Sequence, residues 1–144
     1  MIRIIIFSDT YKHFEIAVKE YEKRLNVIEI IKLKPSKSKV ESKIIKEETE
    51  NLKEKLEKIK YKILLFIDNN ISTENLHKLI EKNKQIYSDI IFVIGAYVNF
   101  EKIKNLIDYK LSFSKMTFPH SMALLILLEQ IYRITMMKKS YYHH

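Results

Sequence analysis

Cysteine is absent from the 144 residues. This excludes disulfides, thiolate zinc sites and cysteine nucleophiles, and it fits a reducing cytoplasm. Glycine occurs once, at Gly95. A Walker loop or a Gly-rich dinucleotide fingerprint needs several glycines where backbone closes on phosphate, so neither can be present. No apolar run approaches the roughly 18 residues a membrane-spanning helix requires. The opening stretch, MIRIIIFSD, is interrupted too soon for a signal peptide and reads as a buried strand.

Positive charge, by contrast, is in excess. Lys and Arg total 26 against 18 Asp and Glu, for a formal net charge of +8. Such a surplus favours a polyanionic partner, because phosphate attraction acts without regard to sequence. Codon bias in an AT-rich genome explains a high lysine count equally well. A hydrophobic fraction of 47% supports a real core. The length suits one domain over residues 1–144, with no repeat and no clear linker.

Periodicity divides the chain into alternating strands and helices. Continuous apolar runs at 2–7, 27–33, 61–68 and 89–95 have the form of strands buried on both faces. YKLSFS at 109–114 alternates and predicts a fifth strand. Phe14, Ala17, Val18, Tyr21 and Leu25 predict an amphipathic helix over 11–24. Ile45, Leu52, Leu56 and Ile59 form one stripe in a Glu/Lys-rich helix over 40–60, after a basic, Pro/Ser-containing loop at 34–39 that is expected to be mobile. NNIS at 69–72 is expected to turn the chain. Ser72-Thr73-Glu74 then opens a helix with Leu76, Leu79, Ile80 and Ile86 inward. A short helix near 100–107 and a last one from about Pro119 to Met137 complete the series. This order predicts an α/β fold, a mostly parallel sheet with helices on both faces. Ligands in such sheets bind beyond the carboxyl ends of strands, which marks Ile67-Asp68, Ile94-Gly95 and Phe113-Ser114.

The last helix poses its own problem. Met122 to Leu128 are seven consecutive apolar residues, preceded by Pro119-His120 and followed by Glu129, Gln130, Tyr132 and Arg133. A helix apolar all round must be buried all round, which predicts a subunit interface. Glu129 and Arg133 stand one turn apart, as an ion pair requires.

FVIGA (92–96), LSFSKMTFPH (111–120), LLEQIYRI (127–134) and the YYHH ending (141–144), with YEKRL (21–25), carry a wider likeness. The chain resembles the ribosomal large-subunit methyltransferase H family of the SPOUT class. That resemblance implies a C-terminal trefoil knot, a homodimer, and methylation of N3 of a pseudouridine in the 23S rRNA of the ribosome. It implies S-adenosyl-L-methionine as cofactor, no metal and no membrane, and a cytoplasmic location. Carried onto this chain, the cofactor cleft comprises Ile67, Gly95, Phe113, Ser114, Lys115, Met116, Thr117 and Phe118. His120, Arg133, Tyr142 and His143 would serve catalysis and the target base. Without the resemblance, His120 reads as a helix cap or packing residue, and Arg133 as half of a helix salt bridge.

The chain departs from the family pattern at Ala96, at Tyr97-Val98-Asn99, in a shortened Asp68-Asn69-Asn70 loop, and at Leu124, where an Arg is common. These changes are expected to cluster around the cleft and its RNA-facing rim. They keep a second function open: a knotted RNA-binding protein of the same fold with weakened or lost cofactor binding. A generic α/β protein whose charge reflects its genome is a third.

Overall fold

The computed structural model describes residues 1–8, 11–26, 28–57, 62–94, 100–114, 116 and 118–138. Five strands alternate with helices: β1 (Ile2–Phe7), α1 (Glu15–Arg24), β2 (Ile28–Leu33), α2 (Glu41–Glu57), β3 (Lys62–Asn70), α3 (Thr73–Lys84), β4 (Asp89–Ile94), α4 (Phe100–Ile103), β5 (Tyr109–Ser112) and α5 (His120–Lys138). All neighbouring pairs are parallel, in the order β2-β1-β4-β3-β5.

The apolar runs form strands because both faces of the sheet are covered. Ile2, Ile4, Ile6, Ile90, Phe92 and Ile94 share one buried cluster with Val18 of α1, Leu76 and Ile80 of α3, and five α5 residues. Ile5, Phe7, Ile91 and Val93 point the other way, against Leu52 and Leu56 of α2 and Ile103 of α4. The register pairs Ile4 with Phe92 and Ile5 with Val93, so each face stays in step across strands. The α/β expectation is met.

Several local expectations shift. The first helix begins as a 3-10 turn at Lys12–Phe14 and becomes α-helical only at Glu15. The fifth strand stops at Ser112, two residues early, where the Ser112 hydroxyl donates to the Ser114 carbonyl at 2.6 Å and folds the backbone into a turn. Asn69 and Asn70 do not turn the chain; β3 runs through them and Ile71 N–H still donates to Ser112 O at 2.9 Å. Ser72 does open α3, its side chain accepting from Asn75 N–H at 3.1 Å. Ile86 is 65% exposed rather than inward, because α3 ends at Lys84 and the helical stripe ends with it.

Along α5, Leu124, Leu127, Leu128, Ile131 and Ile134 are buried on one side. Ala123 and Leu125 are half-buried against the same cluster, and Met122 and Ile126 are half-buried as well.

Tyr11 is buried beside α1, with the Lys32 ammonium 3.9 Å from its ring centroid. Burial, reinforced by the charges of Glu22 and Glu15, pushes its hydroxyl up to about 12. A raised folded value means that above the ordinary tyrosine value the unfolded chain releases a proton the folded one keeps, so stability falls with rising pH. Between pH 10 and about 12, the urea midpoint of the wild type should therefore fall more steeply than that of Tyr11→Phe. Parallel slopes would contradict this. Leu127→Ala, at a fully buried α5 position, should lower the urea-derived unfolding free energy by about 2–5 kcal/mol.

Candidate functional site

Parallel pairing brings every strand's carboxyl end to one edge of the sheet. The three ends marked in the sequence belong to β4, β3 and β5, which are immediate neighbours in that order. Their exits therefore lie within about two strand spacings, roughly 10 Å. Ile67-Asp68, expected to end the third strand, lies inside β3, which runs on to Asn70, so the three marked positions sit on neighbouring strands but only two of them are at strand ends.

The pairing of β3 with β5 slips at this edge. Phe66 pairs with Lys110, but Asn70 pairs with Ser112, so four steps along β3 match two along β5. The extra residues lie between Phe66 and Asn70, the stretch containing Ile67. An irregularity of this kind bends one strand and releases backbone groups from the ladder, a common device beside binding sites.

Beyond β5, the chain forms successive serine turns. Ser114 N–H donates to Ser112 Oγ at 3.3 Å and Met116 N–H to Ser114 Oγ at 3.1 Å. Phe113 is half-buried against the core and Phe118 is half-buried, while Met116 is 74% exposed. Ala123 N–H donates to Pro119 O at 3.0 Å and starts α5. Gly95, Lys115, Thr117, Tyr142 and His143 lie outside the described residues, as do Ala96 to Asn99.

His120 is exposed at the first position of α5, its Nδ1 3.3 Å from the carbonyl oxygen of Phe7. Phe7 ends β1, the strand beside β4. A carbonyl has no proton to give, so this bond needs the proton on Nδ1. In neutral imidazole the lone pair is then on Nε2. His120 thus stands at the same edge as the three strand ends, one strand along.

Arg133 and Glu129 do form the expected pair. Arg133 Nη2 donates to Glu129 Oε1 at 2.7 Å and Nε at 3.1 Å. Sequence reasoning missed what holds the pair. Thr73 Oγ1, at the first position of α3, donates to Gln130 Oε1 at 2.6 Å, and Gln130 Nε2 donates to Glu129 Oε2 at 2.9 Å. The chain of donors ends on the Glu129 carboxylate and links α3 to α5. Its only trace in the sequence was the helix-opening Ser72-Thr73-Glu74. Tyr132 stacks edge-on with Tyr21, centroids 5.8 Å apart, and Arg24 lies 5.8 Å from the same ring.

One departure is placed differently from expectation. Leu124 is fully buried in the larger core cluster, so this position packs against the sheet rather than lining an RNA-facing rim. Among the described residues, no group of three His, Asp or Glu side chains is arranged to hold a metal ion, and no helix is long and apolar enough to cross a membrane.

The family described as "Predicted SPOUT methyltransferase" matches residues 1–143. The chain is similar to the ribosomal RNA large subunit methyltransferase H of Fusobacterium nucleatum, 39% identical over 131 residues, covering 85% of this chain and 84% of that protein. The protein of the same name from Finegoldia magna is 39% identical over 134 residues, with the same coverage. That of Clostridioides difficile is 36% identical over 142 residues, covering 90% of this chain and 89% of that protein.

Losing the Thr73 donor should loosen the network without unfolding the sheet. Thr73→Val is expected to cost about 1 kcal/mol in urea unfolding. It should cost almost nothing further in a Gln130→Leu background; additive losses would show that the bond is not coupled.

Proposed function

We infer that the protein is an S-adenosylmethionine-dependent methyltransferase acting on N3 of a pseudouridine in 23S rRNA, and the premise is its family: this chain belongs to the ribosomal RNA large subunit methyltransferase H family of SPOUT methyltransferases. Residues 1–144 act as one such domain, cytoplasmic and homodimeric, with the C-terminal part forming the trefoil knot. The half-buried Met122 and Ile126 in the apolar stretch of α5 support the dimer.

The observation that carries this function is the convergence of the β4, β3 and β5 ends beside His120. S-adenosylmethionine, when bound, supplies an electrophilic methyl group on a sulfonium sulfur. Ile67 at the slip in β3, Gly95 after β4, and Phe113, Ser114, Lys115, Met116, Thr117 and Phe118 after β5 hold the cofactor and exclude water. N3 of the base carries a proton that must leave for it to act as a nucleophile. His120 takes that proton on Nε2, since Nδ1 is committed to the Phe7 carbonyl. Arg133, oriented by Glu129, binds an RNA phosphate. Tyr142 and His143, which the resemblance assigns to the target base, complete the set by stacking and hydrogen bonding.

The alternative of an RNA-binding protein without cofactor rested on the altered loops. The buried Leu124 removes one of its grounds, since packing explains that residue.

Calorimetry with S-adenosylmethionine should show saturable heat, and mass spectrometry should find the methyl group on 23S rRNA only in cells that hold the protein. No heat at millimolar ligand, or unchanged rRNA masses, would overturn the function. His120→Ala should lower kcat about 10²–10³-fold with cofactor affinity unchanged, and His143→Ala should lower turnover without altering folding.

A further inference from the structure

Lys32, Lys34, Lys37, Lys39, Lys43 and Lys46 fall within residues 32–46 against one acid, Glu41. Six against one leaves +5 over residues 32–46, before Glu47, Glu48 and Glu50 follow in α2. Codon bias acting along the whole chain does not by itself gather charge in one place. All six lysines are exposed. Among the described residues, Lys34, Lys37, Lys39, Lys43 and Lys46 make no ion pair.

The segment is held in shape. Ser36 Oγ donates to Glu47 Oε2 of α2 at 2.5 Å, which ties the loop to the helix and turns the nearby carboxylate toward a hydroxyl. Ser38 N–H donates to Ser36 Oγ at 3.2 Å and Val40 N–H to Ser38 Oγ at 3.1 Å. The Lys32 ammonium lies over the ring of buried Tyr11. A loop ordered in advance loses less entropy on meeting a ligand.

Its position matters as much as its charge. The loop leaves the carboxyl end of β2, at the same edge as the candidate site. Phe7 pairs with Leu33, and Ser8 N–H donates to Leu33 O at 3.1 Å. The carbonyl that holds His120 therefore lies one strand spacing, about 5 Å, from the root of the lysine loop. From β2 to β5 the edge measures about 19 Å, four spacings.

We propose that residues 34–39 and the first turns of α2 form a phosphate-binding arm that grips the RNA backbone on the side of His120 away from the β4-β3-β5 cleft. The proposal rests on the rRNA methyltransferase function above and adds a second handhold to it. Target selection occurs at the cleft, and the arm contributes sequence-independent affinity and register. Its loss therefore falls on KM and on salt dependence rather than on kcat.

The test uses the full-length protein with large ribosomal subunits. It compares Lys34→Gln/Lys37→Gln/Lys39→Gln with Lys78→Gln/Lys82→Gln/Lys84→Gln, which removes equal charge from exposed positions of α3. The arm variant should reduce the slope of log binding constant against log salt by about 2–3, as expected for three lost phosphate contacts. Its KM for subunits should rise about tenfold or more, with kcat at saturating RNA and the heat of S-adenosylmethionine binding unchanged. The α3 variant should keep the wild-type slope and KM. Wild-type behaviour of the arm variant, or equal shifts in both variants, would overturn the arm. Should the wild type transfer no methyl group, the function beneath the proposal fails, while the salt slopes still decide whether the arm binds RNA.

Discussion

Parallel pairing is the constraint on which the rest of the structure depends. A strand paired in parallel with its neighbour cannot return by a tight turn; the chain must cross the sheet and re-enter from the same side. Each of the five strands therefore releases its loop at one edge. The crossovers cover both faces, which is why the strands are apolar on both sides and why Ile4 and Ile5 can belong to different buried clusters. Burial of this kind makes the register costly to shift, since a one-residue slip would exchange the two faces. Loops from every strand can therefore meet a ligand together at that edge.

Within this frame, the buried middle of the sheet differs from its carboxyl edge. The paired cores of β1 and β4 are almost fully buried and resist change. At the rim, β3 and β5 lose step, serine side chains hold the 112–116 turns, and His120 is oriented by a backbone carbonyl rather than by a second side chain. Orientation through the backbone ties the imidazole directly to the sheet. The Thr73–Gln130–Glu129–Arg133 chain does the same for Arg133, through α3. The polar ends of α5 thus differ from its middle for a physical reason. The middle packs on the sheet, while each end has a polar group that fixes it to another element.

The strands were legible in the sequence because continuous apolar runs of that length have few other uses, and the motifs near the C-terminus carried the family. Boundaries were less legible where long-range pairing overrides local chemistry. Asn69 and Asn70 look like turn residues, yet the bond from Ile71 to Ser112 keeps them in β3. Ser112 to Ser114 continue an alternating pattern, but a side chain bonding its own backbone ends the strand. Ile86 looks inward on a helical wheel that in fact stops at Lys84. Leu124 was read through the family's arginine when its surroundings are apolar. The order of strands and the Thr73–Gln130 bond join residues far apart in the chain, and no local periodicity encodes them.

The central claim is that one edge of the sheet holds the methyl donor. Amide chemical shifts recorded during titration with S-adenosylmethionine test this most directly. The account predicts saturable shifts at Ile71, Ile94, Ser112, Phe113 and Ser114, with Tyr109, Asp89 and Ile28 at the opposite edge unmoved. Shifts confined to the opposite edge, or none at millimolar ligand, would contradict it.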